Sequence, residues 1–546
     1  MQSSDLLIES PSPVAEPAWL EKFGLAEKLP VAVIFGCLLG LSSASFGLWA
    51  LAWFGLVPLM VLVRGARTKF EAIFVGWAFG TGYHLVGLSW YLGLYPLHWL
   101  GLEDLFGIQL AAVVWLIESL HEALLFAAFA WLIYCLPMRA GFVPAIKRPY
   151  FPYILSLPLI WVFIQWVIGN SEFFLALPVN ELAYSQYTNL SFLQISKYGG
   201  AQLLDFIIVL ANTAIAALLL DFSNLARSYG NRIDQFSARI GPTIDGAIVA
   251  IALNALFFLG GAQLQDIEEA ARIDNEQNPK LQLPNVPIAI VQPSISVEEE
   301  RLKTTSPAEI SKRVADLSTG HGAAMIFYSE GLLTDPQLNN GLLMDRLRQL
   351  SGQEKKEIIV GSVENFENHR VNTARLITFQ PTKELVYIKQ RLVPFGEFAP
   401  LGSFGQDISS KIERHAKSPS EKFLPGNKAH LLQTLFGKIG ASIGLEVIYP
   451  HLISSEVRQG ANLLVNISNL GWFHASSLTK ELIAAGAIRA VENGRYLVIA
   501  SNTGISAVID PGGVVKSQSL AGKRGVILDT VQFLYKSTPY SRMWWL

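Results

Sequence analysis

Charge is scarce in this sequence: only 16% of its 546 residues are Asp, Glu, Lys or Arg, well under the ~25% of an ordinary soluble domain. The net charge is -2, which excludes a broad basic field for nucleic acid and an acidic tail for a basic partner. There are only two cysteines, Cys37 and Cys135. Both lie in apolar runs, too far apart for a disulfide framework or a thiolate metal site, and the expectation is two buried small hydrophobes. A basic leader is also missing. The first 28 residues are polar and acidic, with Pro11, Pro13 and Pro17, so the first apolar span is expected to serve as an uncleaved targeting signal. No fixed-period repeat or low-complexity segment stands out.

What is abundant is apolar surface: 51% hydrophobic residues and a mean hydropathy of +0.35, the composition of a membrane protein. From Leu29 to Val63 no residue is charged, roughly twice the ~17–25 residues that cross a hydrocarbon core. Two short helices with a turn near Ser42 to Gly47 fit this run. Further spans are expected at Ala72 to Tyr95, about Ser119 to Leu136, Tyr150 to Gly169, about Gln202 to Leu220, and Ala247 to Leu264, making about seven. Arg64, Arg67 and Lys69, then Arg139, Lys147 and Arg148, then Arg227, Arg232 and Arg239 follow alternate spans. Such basic loops belong on the cytoplasmic side. The intervening loops carry Glu103, Asp104, Glu172 and Glu181, which places everything after Leu264 on the outer face. Glu118, His121 and Glu122 share a helix face near the expected outer end of span four, and Asp205 lies near that of span six. They read either as a headgroup or substrate site or as solvated interfacial groups. The 13 Trp and 16 Tyr read first as interfacial anchors.

After a polar linker at Gln265 to Gln282 the texture changes to short β-type runs alternating with helical stretches, an α/β pattern. Strands are expected at Val286 to Val291, Ala324 to Ser329, Ile358 to Gly361, Ala374 to Phe379, Leu385 to Ile388, Lys438 to Ile443, Asn462 to Ile467, Tyr496 to Ser501 and Ser506 to Ile509. Helices are expected at about Glu298 to Asp316, Gly341 to Leu350, Leu452 to Arg458 and Leu478 to Glu492, with Asn493-Gly494 as a stop. Glu330 follows an apolar run and should emerge at a strand's carboxyl end, where α/β sites form. Alone it also reads as a loop charge or cap, and Lys389 as a solvated lysine.

Tyr328-Ser329-Glu330, Tyr387-Ile388-Lys389, Leu392 to Glu397, Leu464 to Asn469 with Trp472-Phe473, Arg489 to Arg495 and Asn502 to Asp510 together resemble the nitrilase-type domain of the apolipoprotein N-acyltransferase family. Ala183 to Gln186 and Tyr198 to Gly200 resemble that family's membrane half. The resemblance implies an α-helical transmembrane bundle followed by an α/β nitrilase-like α-β-β-α sandwich. It divides the chain into a cytoplasmic tail (1–28), a transmembrane helical domain (29–264), a linker (265–283), a periplasmic nitrilase-like domain (284–535) and a C-terminal tail (536–546). It further implies a bacterial inner-membrane enzyme that moves an acyl chain from a phospholipid donor to the N-terminal amine of diacylglyceryl-cysteine lipoproteins, without cofactor or metal. Position by position, Glu330 matches the general base, Lys389 the oxyanion-stabilising lysine and Glu397 a second carboxylate. Glu446 belongs to the nucleophile segment.

In that segment, Ser442 to Glu446, Gly444 stands where the family has its cysteine. Leu445, Leu470, His474-Ala475 and Leu482 also depart from the pattern. Cys37 and Cys135, in the membrane half, cannot replace the missing thiol. Ser442 is two residues away, a displacement of ~6.6 Å along a strand, against a tolerance of about 1 Å for attack. The readings that follow are acyl transfer by a modified route such as direct aminolysis, a silent relative that binds lipid or lipoprotein or partners an active paralogue, and a tethered amidase for small C–N substrates. Thr538 to Arg542 resembles the family's lead-in to a final transmembrane helix, and the expectation is an outer domain tethered from its amino-terminal side.

Overall fold

The computed structural model describes residues 23–98, 103–135, 153–170, 181–225, 246–264, 285–301, 304–334, 341–366, 369–380, 385–399, 406 and 423–543. The expected tail at 1–22, the linker, the basic loops at 139–148 and 227–239, Glu172 and Trp544-Trp545-Leu546 lie outside the described residues.

The apolar half is helical. It contains α1 (Leu25–Gly40), α2 (Val57–Arg64), α3 (Lys69–Gly87), α4 (Asp104–Glu122), α5 (Leu124–Cys135), α6 (Tyr153–Asn170), α7 (Leu190–Leu193) and α8 (Ser196–Leu225), then α9 (Gly246–Leu264). Three segments among the described residues are long and apolar enough to cross a membrane: Asp104–Cys135, Ser196–Leu220 and Gly246–Leu264. The other expected spans are helical but shorter or less apolar. At the centre lies α3, whose glycines let neighbours come to backbone contact. A Cβ at Gly82 would meet Val33 O at 2.1 Å, and one at Gly76 would meet Phe126 O at 2.4 Å. Small residues at such crossings are what membrane helices use to pack closely. Lys28, buried at the start of α1, ties it to α3 through Glu71 Oε1 at 2.5 Å.

The span expected from about Ser119 begins instead at Asp104 and runs through α5, 32 residues in all. Gln109 and Gly107 dilute the apolar run without breaking the helix. Glu118, His121 and Glu122 therefore sit mid-segment, not at its outer end, with ligand-type atoms within 4.8 Å of one another. Asp205 is also not solvated. It is 2% exposed and accepts from the Ala183 amide at 2.6 Å, fixing the 181–187 loop. The two cysteines are not buried as expected: Cys37 is half-buried and Cys135 exposed. A small apolar side chain on a lipid-facing helix gains little from burial in protein.

The second half is two packed sheets. One contains β1 (Val286–Gln292), β2 (Met325–Tyr328), β3 (Leu333–Thr334), β4 (Glu357–Phe366), β5 (His369–Ile377), β6 (Val386–Ile388) and β13 (Gly525–Val531), in the order β13-β1-β2-β4-β5-β6 with β3 beside β4. The other contains β7 (Leu432–Gln433), β8 (Lys438–Ile443), β9 (Leu463–Ser468), β10 (Leu497–Ser501), β11 (Ala507–Ile509) and β12 (Val515–Gln518), in the order β12-β11-β10-β9-β8-β7. Their inner faces meet through residues such as Ile288, Phe327, Ile443 and Val465. Helices α11 (Pro307–Ser318) and α12 (Leu342–Glu354) cover the first sheet. Helices α13 (Pro450–Arg458) and α14 (Leu478–Asn493) cover the second. This is the α-β-β-α sandwich expected. The helix foreseen from Glu298 to Asp316 is two, α10 (Val297–Arg301) and α11, because Ser306 caps a new start by accepting from the Glu309 amide with Pro307 behind it.

The sandwich does not stand clear of the helical half. Every residue of α14 except Lys480 is buried, because one face packs on β10 and β11 and the other on the membrane half, in one continuous apolar core. Glu481 accepts from the Ser45 amide at 2.8 Å, and Glu492 from the Ala201 amide at 2.8 Å. The two ends of α14 are thereby pinned to different parts of the helical half.

Candidate active site

The parallel strands β2, β8 and β9 all end at one edge of the sandwich, and the predicted polar residues follow directly after them. Glu330 lies two residues beyond β2, Lys389 one residue beyond β6, and Gly444 one residue beyond β8. Lys389 Nζ is 3.0 Å from Glu330 Oε1 and 3.0 Å from Glu397 Oε1. The lysine side chain is 2% exposed and the two carboxylates 12% each, so the triad is nearly dry. Burial alone would lower the ammonium's pKa, but Glu330, Glu397 and Glu446 together hold it above the ordinary lysine value.

Three asparagines that sequence reasoning did not assign complete the frame. Asn372 Nδ2 donates to Glu330 Oε1 at 2.7 Å and Glu397 Oε1 at 2.9 Å, bridging the carboxylates. The Asn372 carbonyl accepts from the Lys389 amide at 2.9 Å. No sequence spacing signals this, because it follows from the pairing of β5 with β6. Asn466, wholly buried, donates to the Gly444 carbonyl at 3.0 Å. The Asn469 amide donates to Glu330 Oε2 at 2.9 Å. Both lie in a run whose resemblance was noted, but without a role.

Gly444 is in left-handed backbone, φ +61°. A Cβ built there would lie 3.1 Å from Lys389 Nζ and 3.2 Å from Glu330 Oε2. The glycine thus occupies a backbone position from which a side chain would reach both the Lys389 ammonium and the Glu330 carboxylate. Ser442 does not fill this role, since it is 2% exposed and donates to the Val465 carbonyl at 3.2 Å.

Glu446 sits behind the triad, wholly buried. Its carboxylate accepts from the amides of Gln390, Arg391 and Ile443 at 2.6–2.9 Å and from the Tyr387 hydroxyl at 2.9 Å. Burial pushes its carboxyl up to about 7, against those backbone donors and the Lys389 charge. Its hydrogen bonds hold the turn that carries Lys389, which makes it a positioning group.

The loop after β9 closes the site toward the helical half. Phe473 meets Trp90 edge-on at 5.1 Å, and Trp90 stacks on Tyr91 at 4.0 Å. His474 is held between the Gly93 carbonyl at 2.8 Å and Glu298 at 3.0 Å. The arrangement offers a fixed cation and a carboxylate able to take a proton, with the loop after β9 joined to the helical half through an aromatic cluster. Carboxylates around an ammonium are a poor metal set, since the lysine already takes up an oxygen of each.

Residues 35–214 match the model of the apolipoprotein N-acyltransferase N-terminal domain, and residues 288–540 that of the carbon-nitrogen hydrolase family. An apolipoprotein N-acyltransferase of Gloeobacter violaceus is 27% identical over 88% of this chain and 84% of its own length. One from Geobacter metallireducens is 27% identical over 94% and 91%. Among solved structures, an amidase from Nesterenkonia sp. aligns with 48% of this chain and 94% of its own, at 18% identity and a TM-score of 0.35. With both halves matched in order and relatives aligned along most of its length, the chain belongs to the apolipoprotein N-acyltransferase family.

Proposed function

We propose that the protein transfers an acyl chain from a phospholipid to the free N-terminal amine of a diacylglyceryl-cysteine lipoprotein, at the outer face of a bacterial inner membrane. The observation that carries this is the buried Glu330–Lys389–Glu397 constellation with Gly444 in reach of both base and cation. The helical half, with three segments long and apolar enough to span a membrane, supports a site that works beside lipid. Localisation and orientation rest on the basic-loop pattern of the sequence.

Gly444 has no side chain, so the route consistent with the site is direct aminolysis. The amine nitrogen attacks the ester carbonyl, and the developing oxyanion is stabilised by the Lys389 ammonium. Glu330 accepts the proton released from the amine and returns it to the departing lysophospholipid alkoxide as the C–O bond breaks. The products are the amide and a lysophospholipid. Glu397 and Asn372 keep Lys389 and Glu330 in register throughout. Direct attack forgoes the covalent intermediate that splits a difficult step in two, so turnover should be slow.

A second reading, a relative that binds lipid or lipoprotein without turnover, is favoured by the same glycine. One experiment separates them: purified full-length protein and its Gly444→Cys variant are given phospholipid and a diacylated lipopeptide, with mass-spectrometric detection of the N-acylated product. Transfer by the parent, abolished by Glu330→Gln, upholds aminolysis. No product from the parent beside an active family member rejects it, and product from Gly444→Cys alone shows the rest of the machinery intact.

A further inference from the structure

At the opposite end of the same sheet lies a second feature that the proposed reaction does not use. A cavity of about 570 Å³ is lined by Lys438, Arg458, Arg495 and Arg542, together with polar groups that include Asn462 and Ser541. No carboxylate is among its lining residues, and none of the four cations has a carboxylate partner among the described residues. Arg495 is buried, whereas Lys438, Arg458 and Arg542 are exposed at the rim, so the concavity is a positive patch open to solvent, which favours an anion over a cation.

The position is fixed by topology. Lys438 opens β8, Asn462 immediately precedes β9, and Arg495 precedes β10. These are the amino ends of the strands whose carboxyl ends carry Gly444 and Asn469. Six residues of extended chain separate Lys438 from Gly444, about 20 Å, so this cavity is not an extension of the Glu330–Lys389 site.

The cationic groups are held, not splayed. Arg495, 2% exposed, donates Nε to the Ala461 carbonyl at 2.9 Å and Nη1 to the Lys536 carbonyl at 2.7 Å. Arg458 donates Nη1 to the Met543 carbonyl at 3.3 Å. Arg542 is braced on Ser537 by Nε at 2.7 Å. Carbonyl partners orient a guanidinium without cancelling its charge, and the remaining N–H groups suit a tetrahedral oxyanion.

The cavity also lies close to the first turns of a segment long and apolar enough to span a membrane. Arg495 follows α14, whose amino end is tied to Ser45 and whose carboxyl end is tied to Ala201 in the first turns of a membrane-spanning segment. Ser541 and Arg542 follow Tyr540, whose ring lies against Gly200 at the kink that starts that segment. A Cβ on this glycine would be 2.4 Å from the ring. The height of the end of a spanning helix is where lipid phosphates lie.

We propose that this cavity binds a phosphate-bearing anion, the headgroup of an anionic phospholipid, at a site separate from the acyl-transfer centre. The full-length protein in neutral detergent is mixed with equimolar phosphatidylglycerol and phosphatidylcholine, and retained lipids are counted by native mass spectrometry. Inorganic phosphate is tested in parallel by thermal shift. Phosphatidylglycerol should be retained about tenfold over phosphatidylcholine, and the preference should vanish in Arg458→Gln/Arg542→Gln but survive in Arg458→Lys/Arg542→Lys, which keeps the charge should the first variant fold poorly. Stabilisation by phosphate that is lost in the Gln pair, without lipid preference, assigns the same anion site to a soluble phosphoryl ligand. Equal retention of both lipids together with no phosphate effect, or preferences unchanged in the Gln pair, overturns the proposal. Lipopeptide acylation, measured on the same variants, reports separately on the transfer site.

Discussion

At Gly444 a single missing side chain decides the chemistry. Its φ of +61° is a conformation in which an L-residue is strained by roughly 1–2 kcal/mol. Gly444→Cys is therefore expected to lower stability by about that amount in denaturant titration. Its thiol would sit between the Lys389 ammonium and the Glu330 carboxylate, so alkylation by iodoacetamide at neutral pH should be faster than in Gly444→Cys/Glu330→Gln, where the proton acceptor is gone. Lys389→Met should cost more, about 3–5 kcal/mol, because it leaves two buried carboxylates without their cation. The lysine's pKa is raised on folding. Its contribution is therefore complete below the unfolded value of ~10.4 and lost only as pH rises through the higher folded value. The stability difference between parent and Lys389→Met should therefore not decline between pH 7 and 9.5; it should grow just above pH 7, where Glu446 without the Lys389 charge ionises at a cost to the variant. Glu330, Lys389 and Glu397 were legible in the sequence because a short motif order carried them. Asn372 was not, since its place opposite Lys389 is a matter of strand register, which no local pattern encodes.

Among the elements, the strands β1, β9 and β10 announced themselves as Val/Ile/Leu-rich runs and β2 as a short apolar one, as strands buried on both faces do. β3 and β7, two residues each, are too short to have a periodicity. β12 alternates half-buried and exposed residues at a sheet edge and reads as loop. The Ser306-Pro307 start of α11 was written in the sequence as a capping signature, but the acidic run before it read as helix. In the membrane half the central element is α3, and its packing is testable. Gly82→Leu should drive a side chain into the Val33 carbonyl of α1 and destabilise the protein by about 3 kcal/mol or more. Gly352→Ala in α12, with open space around it, should instead stabilise by about 0.5–1 kcal/mol. Thermal unfolding in detergent with the two variants side by side reads both signs.

For the molecule as a whole, the sequence divides into an apolar half and a polar half, and the expected boundary tempts one to treat them as separable. The core does not respect it. Leu482, Ala485 and Ile488 of α14 belong to the same apolar cluster as Phe192, Leu193 and Leu204 of the helical half. Residues 285–543 expressed alone should therefore expose the outer face of α14 and elute as aggregates on size exclusion, whereas the full chain in detergent should unfold in one transition. A monodisperse isolated second half would show that the shared core contributes little. Composition could show where hydropathy changes, but not that one helix is buried from both sides, because α14 carries Glu481, Arg489 and Glu492 and looks amphipathic. Those charges are absorbed by Ser45, Ala201 and each other.

The triad counts two acids against one base, Glu330 and Glu397 around Lys389, so the mouth beneath Gly444 carries a surplus of one negative charge. That surplus sorts what approaches: a protonated peptide terminus is drawn in, and a phosphate is turned away. A phospholipid would then have to present its glycerol ester while keeping its phosphodiester at arm's length, and the polarity of the site itself would dictate which way round the donor lies.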